Sequence, residues 1–364
     1  MKTVPIPMID PAAEYRSLKP EIDAAVGRVL ASGRYVLGPE GEALERELAA
    51  FTGAAHAVGV NSGTDALHLA LVACGVGPGD EVVVPAFTFF ASAEAVSYTG
   101  ATPVFADVDA ATFNLDPKSL QKFITKKTKA VIAVHLFGQC AALDEISSLC
   151  KESKLVLVED VAQALGADYD GRRAGSWGDF GCFSFYPTKN LAAAGDAGLI
   201  TTNDRKYDET LRMLRHHGSR KTYLHERVGW NSRLDEIQAA VLRVKLAHLE
   251  RFNEARRAVA LNYRGKLKHK DIILPAEHGR GTHVYHQFTI RSARRDALRE
   301  ALARESIAAS VFYPIPLHRQ PAYEAANRAL SLPVSEKISA DVLSLPINPL
   351  LDATSVERIC RVLA

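Results

Sequence analysis

The chain is poor in several things, and each shortage excludes something. It has only 5 cysteines in 364 residues, at positions 74, 140, 150, 182 and 360. They are scattered, odd in number and form no C-x-x-C pair. Neither a disulfide framework nor a zinc site is indicated, and reduced thiols in a cytoplasmic setting are expected. Long apolar runs are missing: none reaches the roughly 18 residues that span a bilayer. The opening MKTVPIPMIDPAAEYRSLKPEID lacks the apolar segment of a secretory signal. No membrane association is expected. Charge of one sign is also scarce. The 44 Lys and Arg against 42 Asp and Glu leave a formal net charge of +2. That balance, with no block of like charge, argues against a nucleic-acid partner. The most basic stretch, Arg212 to Arg227, mixes Arg, Lys and His with Tyr and Glu. It suits a phosphorylated small molecule or a solvated face. A dinucleotide fingerprint is absent as well. Gly75-Val76-Gly77-Pro78-Gly79-Asp80 has the wrong spacing for G-x-G-x-x-G and precedes a strand instead of following one. It reads as a turn, which sets aside a nicotinamide dehydrogenase. The close histidine pairs, His216-His217 and His283/His286, come without carboxylates, so no metal is expected and these side chains read as surface or structural.

What is present is an α/β pattern. Two helices come first, over residues 12–32 with Gly33 following and over 39–51 with Pro39 near the start. Apolar runs then alternate with helical segments. The runs are AAHAVGVN, EVVVP, TPVFADV, KAVIAVHLFG and KLVLVED. Between them lie SGTDALHLALVACG, Ala91–Tyr98, a helix near Pro117–Ile124, and LDEISSLCKE. Strands that are apolar throughout predict a mainly parallel sheet covered on both faces. From residue 231, NSRLDEIQAAVLRVKLAHLERFNEARRAVALNYRGKL predicts a long hinge helix. Beyond Pro275 the signals shorten to a strand THVYHQFTI, a helix ARRDALREALARES and further helical segments. The expected division is a large domain over 1–245 and a smaller α+β domain over 246–364.

In such a sheet, ligands sit at the carboxyl ends of the strands. After AVGV comes Ser62-Gly63-Thr64, opening a helix with free N–H groups that suit an anion, or simply a plain N-cap. After EVVVP comes Phe87-Thr88-Phe89-Phe90. Two of these aromatics suit the core, and one suits stacking on a planar ring. After KLVLV comes Glu159-Asp160. An acid at the end of an apolar strand wants a partner, either a cationic ring nitrogen or a cap or structural ion pair. After CFSFYPT comes Lys189, placed to form a Schiff base if burial removes its proton, and otherwise a loop lysine. The small residues behind it, NLAAAGDAG, are expected to leave room above the amine. Together these features ask for one ligand with a phosphate (Ser62-Gly63-Thr64 and Ser184), a flat ring (Phe89), a pyridinium nitrogen (Asp160) and an aldehyde (Lys189). Pyridoxal phosphate has all four.

These residues lie in motifs that resemble a known family. NSGTDAL, PAFTF, VEDVAQALGA, SFYPTKNLAAAGDAG, GWNSRLDEIQAA and FYPIPLHRQPAY occur in the order seen in the DegT/DnrJ/StrS sugar aminotransferases, over nearly the whole chain. The resemblance implies a large domain of the aspartate-aminotransferase-like fold type I and a homodimer with two shared active sites. It implies that Lys189 carries the cofactor and moves a proton, and that Asp160 pairs with the ring nitrogen. It places Gln163 near the phenolic oxygen, Ser62, Gly63, Thr64 and Ser184 on the phosphate, and Phe89 on the ring face. Asn231 would reach the phosphate of the neighbouring subunit. Tyr35, Tyr186 and His318 would lie near the sugar, and Arg220 and Lys221 near its diphosphate. The implied reaction moves an amino group from L-glutamate to a C3- or C4-keto nucleotide sugar. Ala192 departs from the glycine common at that position. Some relatives carry histidine in place of the lysine and act as sugar dehydratases; Lys189 argues against that here. A regulatory sugar-nucleotide sensor on the same scaffold is the other alternative.

Overall fold

Residues 4–221 and 223–364 are described by a computed structural model. The first helix, α1 (Pro11–Ser32), begins where the sequence supplies a cap. The Asp10 carboxylate accepts the Ala13 N–H, Pro11 sits at the first position, and Gly33 ends the helix in the left-handed conformation. The second, α2 (Pro39–Thr52), has no side-chain cap of its own. Its start is closed from a distance by the buried Glu236 carboxylate, which accepts the N–H groups of Gly38, Glu40 and Gly41 at 2.8–3.0 Å.

A seven-stranded sheet follows. Its first five strands in chain order are β1 (His56–Val60), β2 (Glu81–Pro85), β3 (Thr102–Ala106), β4 (Thr128–Val134) and β5 (Val156–Asp160). The other two are Phe180–Ser184 and Gly198–Thr202. Across the sheet the order is β1, Gly198–Thr202, Phe180–Ser184, β5, β4, β2, β3. The four pairings from Phe180–Ser184 to β3 are parallel, whereas Gly198–Thr202 runs antiparallel to both neighbours. No strand is expected at Gly198–Thr202 from the sequence, because GDAG reads only as a turn. Val82 to Val84, Ile132 and Val158 are wholly buried, as a parallel sheet with two covered faces requires. Helix α3 (Gly63–Ala73) packs across one face.

The long helix expected from residue 231 is two helices, Glu236–Leu246 and Leu249–Lys266. The first packs on α1 and α2, and Lys245 pairs with Glu14 at 2.7 Å. The second sends Val259, Ala260 and Tyr263 into a separate C-terminal core with Phe288, Leu302, Leu343 and Ile359. One straight helix cannot present both faces, so the chain turns at Ala247-His248. That second core also receives Ile6. Its strands, Phe288–Arg291 and Val342–Leu345, pair antiparallel. The expected strand THVYHQFTI is thus shorter. Before Phe288 the backbone serves another purpose: the Val284 and Gln287 N–H groups donate to the carbonyls of Gly138 and Phe137. Among the described residues no helix is long and apolar enough to cross a membrane.

Candidate active site

Alternation along β5 separates its two terminal acids. Successive side chains of a strand point to opposite faces, so Glu159 and Asp160 enter different surroundings. Glu159 is completely buried and its carboxylate is saturated. It accepts the N–H groups of Gly175, Trp177 and Gly178 at 2.7–2.8 Å. His135 Nε2 donates to it at 2.9 Å, since His135 Nδ1 is the acceptor of the Ala141 N–H. This acid is structural. Glu159→Ala is expected to lower stability by about 3–5 kcal/mol, because it strands several buried donors. Urea unfolding measures it, and a loss below about 1 kcal/mol would refute the assignment.

Asp160 is buried too, but it faces a cavity of about 530 Å³. Its Oδ2 accepts the Ser92 hydroxyl at 2.9 Å and its Oδ1 the Ala162 N–H at 3.1 Å. Among the described residues it has no salt-bridge partner. A buried carboxylate without a salt-bridge partner is costly, and its position suits a positive group.

The same cavity is lined by Ser62, Gly63, Thr64 and Ser184. Ser62 caps α3, its hydroxyl accepting the Asp65 N–H at 3.0 Å. The helix start leaves the first N–H groups free. Gly63 is required by close approach: a Cβ there would stand 2.6 Å from the Ser184 Cβ. Gly198 is required likewise, since a Cβ would collide with the Ser62 carbonyl. The N-terminus of α3 is therefore pressed against the end of Phe180–Ser184, and the two together form a cradle for an anion.

Of the three aromatics after β2, Phe87 is wholly buried in the core and Phe90 packs on Tyr323. Phe89 lines the cavity and is 57% exposed. Gln163 lies at the cavity wall with its amide orientation set. The Phe137 N–H donates to its Oε1 at 2.8 Å, so Nε2 is the end turned to the cavity as a donor, and one of its protons goes to the Tyr313 hydroxyl at 3.1 Å. Tyr186 also lines the cavity, half exposed.

Lys189 completes the set. Its backbone N–H donates to the Tyr186 carbonyl at 2.8 Å, closing the turn after Pro187. Its half-buried side chain reaches the cavity. Desolvation lowers the amine to about 8, against the attraction of Asp160, which raises it. The small residues after it do not act as expected. Leu191, Ala193 and Ala197 are packed in the core, and the Ala193 and Ala194 N–H groups donate to Phe185 O and Gln238 Oε1. Ala192, Ala193 and Ala197 are small because the interior is close-packed there, Ala194 is exposed, and of that run only Asp196 lines the cavity.

The remaining expected residues lie off the cavity of their own chain. Asn231 is exposed, bridged to His216. It precedes Ser232, whose hydroxyl donates to Asp65 at 2.6 Å beside the start of α3. Tyr35 is exposed, as are Arg220 and Lys221, which sit in a short hairpin strand. His318 is wholly buried, with Nε2 3.0 Å from Glu336. Tyr313, His286 and Gln287 line the cavity, although no role follows for them from the sequence. Tyr313 sits within the quoted FYPIP motif, and that was the available signal; the two others come from a segment that reads simply as a strand. Among the described residues no group of three or more His, Cys, Asp or Glu is placed to hold a metal ion.

The chain is similar over nearly its whole length to known proteins. A UDP-N-acetyl-3-dehydro-alpha-D-glucosamine 3-aminotransferase of Acidithiobacillus ferrooxidans is 47% identical, over 98% of this chain and 97% of its own length. A protein of Geobacillus stearothermophilus described as a pleiotropic regulatory protein is 46% identical, over 94% of each chain. The crystal structure of S. venezuelae DesV in complex with a ketimine intermediate superposes with a TM-score of 0.97 at 48% identity, covering 99% of this chain and 98% of that one. The model of the DegT/DnrJ/EryC1/StrS aminotransferases matches residues 16–364, and this chain belongs to that family.

Proposed function

We propose that this protein transfers an amino group from an amino-acid donor, L-glutamate, to the keto carbon of a nucleotide-linked sugar, using pyridoxal phosphate carried on Lys189. The carrying observation is the pairing in one cavity of a lysine with an amine near 8 and a buried carboxylate without a cation. The cofactor of this family is pyridoxal phosphate, and the residues fit it. The cradle of Gly63 and Ser184 suits its phosphate, and Asp160 suits its ring nitrogen. Phe89 suits its ring face, and the oriented Nε2 of Gln163 suits its phenolic oxygen.

When bound, the group supplies an electron sink for the carbon that loses its proton. The chain's residues do the rest. Asp160, its carboxylate oriented by the Ser92 hydroxyl and the Ala162 N–H, would face the ring nitrogen. Lys189, with its amine lowered by burial to about 8, would be neutral often enough near pH 7 to take up a proton at Nζ and release it again. Tyr186 and Tyr313 wall the space that remains for donor and sugar.

The test has two arms. Cofactor-stripped protein should capture pyridoxal phosphate at a rate that rises about tenfold per pH unit below 8 and levels above it, since only the neutral amine attacks. Borohydride reduction and peptide mapping should place the adduct at Lys189. Holoenzyme should then lose its visible absorbance on addition of glutamate and recover it with a nucleotide keto-sugar. A protein that only senses sugar nucleotides, as the regulatory description of one relative invites, would bind them with no glutamate-driven change.

The second part of the proposal is a homodimer in which Asn231, Tyr35, Arg220 and Lys221 serve the partner's cavity. Their position off their own cavity supports it. So do the exposed apolar side chains of Val36, Leu37, Tyr223, Leu224 and Val228, which water would not favour uncovered. Sedimentation equilibrium is expected to give twice the chain mass; a fully active monomer would refute the shared site.

A further inference from the structure

Buried amides form a chain leading away from the cavity, beside Lys189. His286 lines that cavity together with Lys189 and is 4% exposed. Its Nδ1 lies 3.2 Å from Oδ1 of Asn190, the residue after Lys189. The Asn190 Nδ2 donates twice, to Asn253 Oδ1 at 2.8 Å and to the Val284 carbonyl at 3.0 Å. Asn253 in turn donates from Nδ2 to the Leu165 carbonyl at 3.2 Å.

The direction of this chain is forced. An amide has two protons on nitrogen and none on oxygen. Both protons of Asn190 go to acceptors, so its Oδ1 must accept. The group facing that oxygen is His286 Nδ1, which therefore carries the proton. Burial keeps the ring neutral, well below the usual histidine range, and the charges of Lys189 and Arg256 act in the same direction. A neutral imidazole protonated at Nδ1 has a bare lone pair at Nε2. Gln287 Nε2 lies 3.4 Å from it, a long contact that leaves it largely free. Arg256 is engaged elsewhere, donating to the Ile347 carbonyl at 2.9 Å.

We propose that His286 is a positioning residue for Lys189: the one-way chain through Asn190 and Asn253 to Leu165 locks its tautomer, so that Nε2 accepts a hydrogen bond from the Lys189 amine whenever that amine is not bound to the cofactor. The proposal rests on the reading of Lys189 as the cofactor lysine. Asp160, the other group that attracts the amine, is committed to the ring nitrogen in that reading, so the freed amine needs a second partner. A neutral acceptor stabilises the ammonium form more than the amine. It therefore returns part of the basicity that burial removes, without adding a negative charge of its own beside the amine.

Two measurements test this. Long-range proton–nitrogen correlation spectra of ¹⁵N-histidine-labelled, cofactor-stripped protein, assigned by loss of one signal in His286→Phe, should show His286 protonated at Nδ1 and bare at Nε2. Observation of the Nε2–H tautomer would overturn the proposal. The pH profile of pyridoxal phosphate capture should shift down by at least half a unit in His286→Phe and return toward the wild-type midpoint in His286→Gln, whose amide oxygen can accept. A profile in His286→Phe that coincides with the wild type would also overturn it. If His286→Phe does not fold, His286→Gln assigns the spectrum and the tautomer decides alone. Failure of the underlying reading looks different: in wild-type protein the reduced adduct would map to a residue other than Lys189.

Discussion

Lys189→Ala protein is expected to lose turnover by at least roughly 10⁴-fold, the upper range for a positioned acid–base group, because the same amine also anchors the cofactor. The fold should not suffer. The tie that Lys189 gives to its own turn is a backbone one, to the Tyr186 carbonyl, and alanine keeps it. The side chain carries a desolvation penalty that lowers its amine to about 8. Removing a penalised charge leaves thermal stability unchanged or slightly raised, as expected where a site is arranged for chemistry at the expense of stability. Turnover, the melting curve and the reduced-adduct map check this together. A residual rate above roughly a hundredth of wild type would show that another base moves the proton. A lowered melting temperature would show that the lysine is part of the scaffold.

Asp160→Asn is the second large effect. The substitution keeps shape and, with one reorientation, keeps the hydrogen bonds. The amide oxygen can still accept the Ala162 N–H. The amide nitrogen can donate to Ser92, whose hydroxyl then turns to Thr88 Oγ1, 3.4 Å away. What disappears is the charge. Unpairing a buried charge costs about 3–5 kcal/mol. At 1.4 kcal/mol per tenfold, this corresponds to a fall in affinity for pyridoxal phosphate of about 10²- to 4 × 10³-fold, with turnover falling at least as far. Equilibrium titration of stripped protein measures this. Affinity within fivefold of wild type would remove Asp160 from the ring nitrogen. The neighbouring Glu159 is the internal control. Its loss should cost stability, whereas the loss of Asp160 should cost cofactor binding, although the two acids are adjacent in sequence and both buried.

That contrast indicates how far the sequence alone could be read. The runs EVVVP and KLVLVED specify parallel strands because they are apolar on both faces, and no other environment suits them. The residues that follow those strands are legible as a site because the carboxyl ends of a parallel sheet converge. Hence Ser62, Asp160 and Lys189 could be grouped although each alone has an ordinary reading. The antiparallel strand Gly198–Thr202 was not legible, because its pairing with β1 and Phe180–Ser184 is a long-range property that GDAG does not announce. Nor was the turn at Ala247-His248, since both helices share one continuous periodicity and only their two separate cores require the break.

The chemistry divides in the same way. Residue types and their order by themselves asked for one ligand with a phosphate, a ring cation and an aldehyde, although each residue singly also had a structural reading. Only the tertiary structure decided that Glu159 is spent on the backbone N–H groups of Gly175, Trp177 and Gly178, and that Ala192, Ala193 and Ala197 fill the core instead of clearing space. It alone brought Tyr313 and His286 to the cavity wall beside Lys189. Those outcomes depend on which face a strand presents and on which amide hydrogen bonds remain unsatisfied. Such properties are settled only when distant segments pack together.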